Sequence, residues 1–161
     1  ILKMTTIMRK FIAMLLFTTI CCVVLSSCNS NNGDIGPWYG HWKLTEIRIN
    51  GEVDPQYDGN IFWAFQNSVV QMTQIRSAAD YESRWGSWSQ NGDELTLDFS
   101  HHDNLSEIDP STAWRYMPPA ATHLEAGINK LHIDKLSGSN IRLSYNAPDG
   151  NVYTYYLKAW K

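Results

Sequence analysis

The stretch KLHIDKLSGSNIRLSYN, residues 130–146, decides the fold class. Leu131 and Ile133 share one phase of a two-residue period, and His132 and Asp134 share the other. After Ser137-Gly138-Ser139 the alternation resumes, with Ile141, Leu143 and Tyr145 opposing Arg142 and Ser144. Successive side chains of an extended chain point to opposite faces, so this pattern describes two strands, each with one buried face, joined by a tight turn.

Working outward, the same signature recurs. Glu94–Ser100 sets Leu95, Leu97 and Phe99 against Thr96 and Asp98. Tyr81–Gln90 precedes it across Asn91-Gly92, two residues that tolerate positive φ and favour a hairpin. Further back lie Ser68–Arg76, Ile61–Gln66 and Trp38–Asn50, the last ending at Asn50-Gly51. Beyond residue 146, Asn151–Trp160 follows the turn Pro148-Asp149-Gly150. In the first run the apolar phase slips, from Trp42 and Leu44 to Ile47 and Ile49, which predicts a bulge near Thr45-Glu46. These eight runs read as an all-β meander, and closing its sheet removes the exposed edges. The expected fold is an eight-stranded antiparallel up-and-down barrel.

Loop lengths orient the barrel. In a meander alternate connections lie at opposite ends. Asn67, Asn91-Gly92 and Ser137–Ser139 are short and share one end; Gly51–Asn60 and His101–Asn129 are long and share the other. A closed base and a decorated mouth follow, with any ligand expected at the mouth. Within the longer loop, Asp109-Pro110 resembles a helix start, so Ser111–Met117 is expected to form a short helical turn broken by Pro118-Pro119. A second turn is expected over Ala120–Ala126, stopped by Gly127.

Residues 1–27 have a different character. They hold Lys3, Arg9 and Lys10 and no acidic residue, whereas all sixteen Asp and Glu follow, with ten of the thirteen Lys and Arg. Arg9-Lys10 and the apolar run Phe11–Leu25 read as the charged and apolar parts of an export signal, the run being shorter than the ~20 residues of a membrane-spanning helix. The three cysteines stand at 21, 22 and 28, so cleavage before Cys28 leaves a domain with no internal disulfide and one cysteine to explain. Leu25-Ser26-Ser27-Cys28 resembles the lipobox of bacterial lipoproteins, which implies acylation of Cys28. The organisation expected is a signal peptide over 1–27, a lipidated polar tether over 28–37 and the barrel over 38–161. The same resemblance implies a lipid-anchored protein of the bacterial cell envelope, on the outer membrane. The tether lacks the run of acidic residues just after the cysteine that resembles a surface-export signal in some gut bacteria, so the periplasmic face is expected over the cell surface.

Gly40-His41-Trp42 opens the first strand, within Trp38-Tyr39-Gly40-His41-Trp42-Lys43-Leu44. This resembles the Gly-x-Trp start of lipocalin-like domains common in lipoproteins of gut bacteria, a family largely of unknown function. The resemblance implies that Gly40 and Trp42 sit at the closed base, with a basic residue from the end of the barrel across the indole. Lys158 is the positional match.

Composition narrows function further. An acidic domain without a Lys/Arg cluster argues against nucleic acid as a partner. Gly-x-Ser-x-Gly, His-Glu-x-x-His and a phosphate-cradling glycine loop are missing from the sequence, so no enzymatic activity and no cofactor is expected. Seven tryptophans and eight tyrosines all lie after Cys28, and aromatic walls suit apolar or amphipathic ligands. Trp63, Trp85, Trp114 and Tyr116 are the candidate ligand contacts. Trp85 and Trp88 should lie on opposite faces of one strand. A rival reading packs the barrel solid and gives the long loop an envelope protein as partner. A weaker one places a metal at His101, His102 and His123, whose spacing matches no standard metal motif.

Overall fold

The computed structural model describes residues 35–100 and 111–160. Cys28, the signal and most of the tether lie outside these residues, as do His101, His102 and Asp109-Pro110.

The strands are β1 (Gly40–Ile49), β2 (Glu52–Val53), β3 (Ile61–Gln66), β4 (Val69–Ser77), β5 (Asp80–Asn91), β6 (Glu94–Asp98), β7 (Ile128–Leu136), β8 (Asn140–Asn146) and β9 (Val152–Trp160). Each pairs antiparallel with its neighbour, except that β2 folds back on the end of β1 and β3 pairs with the start of β1. Pairing of β1 with β9 closes the ring, so eight strands form the barrel, and the two-residue β2 continues the β3 side of β1 at its far end. The expected bulge is present: the β1–β9 register shifts between Leu44 and Glu46, which lets Leu44 and Ile47 both point inward.

The turns follow from local chemistry. Asn50 and Gly51 both take positive φ, 53° and 91°, giving the two-residue hairpin that starts β2. The β5–β6 connection is Gly92-Asp93, one residue later than Asn91-Gly92, because Asn91 stays in the ladder opposite Glu94. Short 3-10 turns occupy Ala113–Tyr116 and Ala120–Thr122. The second ends at His123, in the left-handed region at φ 56°, and not at Gly127. A non-glycine residue there needs compensation. His123 has it in a hydrogen bond to Asp54 and a stacked contact with Tyr153.

The interior is packed with inward residues of the alternating strands. Trp42, Leu44, Trp63, Phe65, Met72, Leu97, Leu143, Tyr155 and Leu157 are all essentially inaccessible. Full burial of one such apolar side chain is worth roughly 1.5–3 kcal/mol. At the base, Trp38 lies against Phe65 and Trp88, with ring centroids 4.9 and 5.5 Å away. Its indole N–H donates to Gln90 Oε1 at 2.7 Å, and that of Trp42 donates to the Trp38 carbonyl at 2.9 Å.

The mouth is filled too. The returning part of the long loop lowers Thr122 and Leu124 into it, both buried. Tyr155 donates its hydroxyl to the Thr122 carbonyl at 2.9 Å, and His123 Nε2 meets Asp54 Oδ2 at 2.9 Å. Asn129, fully buried, fixes the loop's return by accepting from the Glu125 N–H and donating to the carbonyls of Glu125 and Gly127.

Candidate functional site: a groove on the barrel flank

With the mouth plugged, a candidate space for a ligand lies beside it. Strand β5 pairs with β6 only from Ser87 to Asn91. Strand β6 ends at Asp98, opposite Ser87, and beyond it the 3-10 turn Ala113–Tyr116 packs against β5. The space between is an open groove of about 520 Å³, bordered by Val69, Trp85, Gly86, Ser87, Asp98, Phe99, Arg115 and Tyr116. Small-molecule sites commonly span about 300–1,000 Å³.

Strand phase explains the floor. Ser87 stands opposite Val69, and Trp85 opposite Gln71, on the outward face of the β4–β5 ladder. Trp88, out of phase with Trp85, turns inward against Trp38 and Phe65. Gly86 is required by close approach: a Cβ there would lie 2.8 Å from the Phe99 ring and from the Asp98 carbonyl. The missing side chain lets Phe99 lie flat against the strand, buried from solvent, with the groove beside it.

The loop wall is held by arginine. Arg84 donates to the Trp114 carbonyl at 2.8 Å and places its guanidinium 4.8 Å from the Trp114 ring centre. Arg115 approaches the same ring at 5.4 Å. Such contacts contribute about 0.5–1 kcal/mol when exposed. Glu82 bonds both Arg76 and Arg84, and those two hydrogen bonds hold its carboxyl below the usual range. The groove thus joins apolar aromatic surface to a carboxylate, Asp98, and a guanidinium, Arg115. Asp98 Oδ1 accepts from the Ser100 amide at 2.8 Å, which orients it.

A family model described as a lipocalin-like domain matches residues 23–148. The chain belongs to this family. A lipocalin-like protein from Bacteroides uniformis is similar in structure, with a TM-score of 0.54 over 78% of this chain and 100% of its own, at 17% identity. An uncharacterized protein from Bacteroides eggerthii is similar at a TM-score of 0.53, covering 76% and 99% at 20% identity. At these identities the likeness concerns fold alone. No curated protein matches the chain.

Within this lipocalin-like domain the four candidate contacts separate. Trp85 and Tyr116 border the groove, and Trp114 lies in the adjoining turn, 38% exposed. Trp63 does not join them. It points into the core, fully buried, 5.8 Å from Tyr155. Among the described residues the buried indole N–H groups of Trp63 and Trp88 have no acceptor. Trp42 is at the base, but Lys158 does not lie across it. Lys158 follows inward Leu157 in the alternation, so it faces outward and stands opposite Lys43. His123 is engaged with Asp54 and Tyr153, and among the described residues no three His, Cys, Asp or Glu side chains are grouped to hold a metal. Sequence reading passed over Gly86, Phe99, Asp98 and Arg115. Only Gly86 left a local sign, as an isolated glycine inside a strand pattern.

Proposed function

We propose that the chain is an envelope-anchored lipoprotein, lipidated at Cys28, whose domain binds a small apolar or amphipathic ligand without chemical turnover. The anchor is best placed on the outer membrane, facing the periplasm. The observation that carries the binding reading is the flank groove, where Trp85 and Tyr116 offer aromatic surface beside Asp98 and Arg115. The ligand's apolar body would lie on the rings, with a polar end at the charged rim.

Native mass spectrometry of the whole chain, gently purified from a bacterial envelope, tests this. The expected result is an added mass lost on denaturation and strongly reduced in Trp85→Ala and Tyr116→Ala. An added mass unchanged in both variants would move the ligand elsewhere. Cys28→Ala should separately abolish acylation, and an acyl mass that survives it would refute the anchor.

A protein-partner reading draws on the exposure of Trp114 and Met117, each 38%. Deleting the loop would also remove Thr122 and Leu124 from the core, so point changes are the cleaner test. Trp114→Ala with Met117→Ala should abolish capture of a partner under this reading and leave the added mass unaltered.

A further inference from the structure

The base end carries a surface unlike the rest of the outer wall. Cross-strand pairing sets His41 beside Trp160, and Lys43 between Lys158 and Phe62. The intervening Trp42, Trp63 and Leu157 are buried, so this whole row faces outward. Trp160 is 55% exposed and Tyr39, just before β1, is 42% exposed. Phe62 and Trp160 meet edge to face with centroids 5.2 Å apart, and the Lys43 ammonium lies 5.9 and 5.8 Å from their ring centres. Beside this row runs a cleft of about 230 Å³ whose lining includes Lys135, Arg142 and Lys158. Arg142 shares Asp134 at 3.6 Å. Among the described residues no carboxylate forms an ion pair with Lys43, Lys135 or Lys158. Free positive charge is therefore gathered here, although acidic residues outnumber basic ones sixteen to ten after position 27.

We propose that this base-end face, formed by β1, β3, β7, β8 and β9, docks on an anionic lipid membrane surface. Trp160 and Tyr39 have the amphipathic rings that partition to the headgroup level. Lys43, Lys135 and Lys158 supply ammonium groups for lipid phosphates, an attraction confined to about a Debye length and weakened by salt. The position of the chain's start agrees. Ile35 and Gly36 lead through the turn Gly36–Trp38 into the base plug, so the described chain begins at this end. Cys28 lies seven residues before Ile35, a span of at most ~25 Å when fully extended. An acyl chain on Cys28 would hold this face near the bilayer and point the plugged mouth into the aqueous phase. That last argument rests on the lipoprotein reading; the aromatic and charge arguments do not.

The test uses the whole chain in vesicles of phosphatidylethanolamine and phosphatidylglycerol with brominated acyl chains, read by tryptophan quenching. Quenching should be present in the native chain and mostly lost in Trp160→Phe. It should also fall in the Lys43→Glu, Lys158→Glu double variant, at high salt, and in phosphatidylcholine vesicles. Equal quenching in the native chain and Trp160→Phe would overturn the proposal. The intact mass reports acylation separately. An unacylated chain with Trp160-dependent quenching keeps the docking face and sinks the anchor, and an acylated chain without it does the reverse.

Discussion

The two ends of the barrel are closed by different means. At the base, the strands and the residues just before them close it, through Trp38, Trp42, Phe65 and Trp88. At the mouth, the plug is borrowed from a loop. Thr122 is held by Tyr155, 33 residues away in sequence, and His123 by Asp54, 69 residues away. The base is sealed by apolar area, which is non-directional and large. The mouth is sealed by the buried Leu124 together with a few polar contacts of about 1 kcal/mol each, which depend on geometry. On this contrast the base is expected to carry more of the fold's stability, and the mouth to open at a lower cost than the whole barrel.

The largest effect should come from the base. Trp42→Ala removes a fully buried indole and the hydrogen bond to Trp38, and should destabilise the domain by about 3–5 kcal/mol in denaturant unfolding. A loss near that of the mouth variants below would erase the distinction. Tyr155→Phe keeps the ring and deletes the hydroxyl, leaving the buried Thr122 carbonyl without that donor. The expected cost is about 1–2 kcal/mol, with amide exchange at residues 120–124 accelerated more than at residues 40–44. Uniform acceleration at both ends would mean that the plug and the barrel open together.

The smallest effect is a pH dependence confined to the mouth. Burial raises the Asp54 carboxyl, but the His123 hydrogen bond, the Gln56 N–H and the His123 charge together outweigh it and leave the carboxyl below its ordinary 3.8. A carboxyl depressed on folding stabilises above its unfolded pKa, and the contribution is lost as pH falls through the folded value. The Asp54 contribution to the plug should therefore be present above about pH 4 and be lost in stronger acid. Asp54→Asn should remove that acid step, measured by exchange at residues 120–124. A step of unchanged size in Asp54→Asn would assign it to another group.

What the sequence disclosed follows the same division. Strands were legible because burial on one face writes a two-residue period directly into Leu131, Ile133, Ile141, Leu143 and Tyr145. The bulge at Leu44–Glu46 was legible as a slip in that period. The same rule places Lys158 outside, next to Leu157, against the position that the family resemblance implies for it. Trp63 is inside by that rule, in phase with Ile61 and Phe65, as lining a barrel-mouth pocket also requires; its distance from the groove comes from the packed core around it. The mouth plug left no such trace. Thr122 reads as a loop residue, and its burial depends on partners far along the chain. Phe99 read as core, which it is, but its place beside the groove depends on Gly86 letting it lie against β5.

The β1–β9 seam has a temporal meaning. The ring joins the first barrel strand, from Gly40, to the last, ending at Trp160, so most of the domain must exist before the circle can close. Such remote pairing carries a high loop-closure cost and slows folding. A growing chain therefore remains an open sheet with two unpaired edges until β9 is made. Loss of that final strand would leave β1 and β8 permanently able to recruit strands from other chains, turning a sealed barrel into a seed for aggregation.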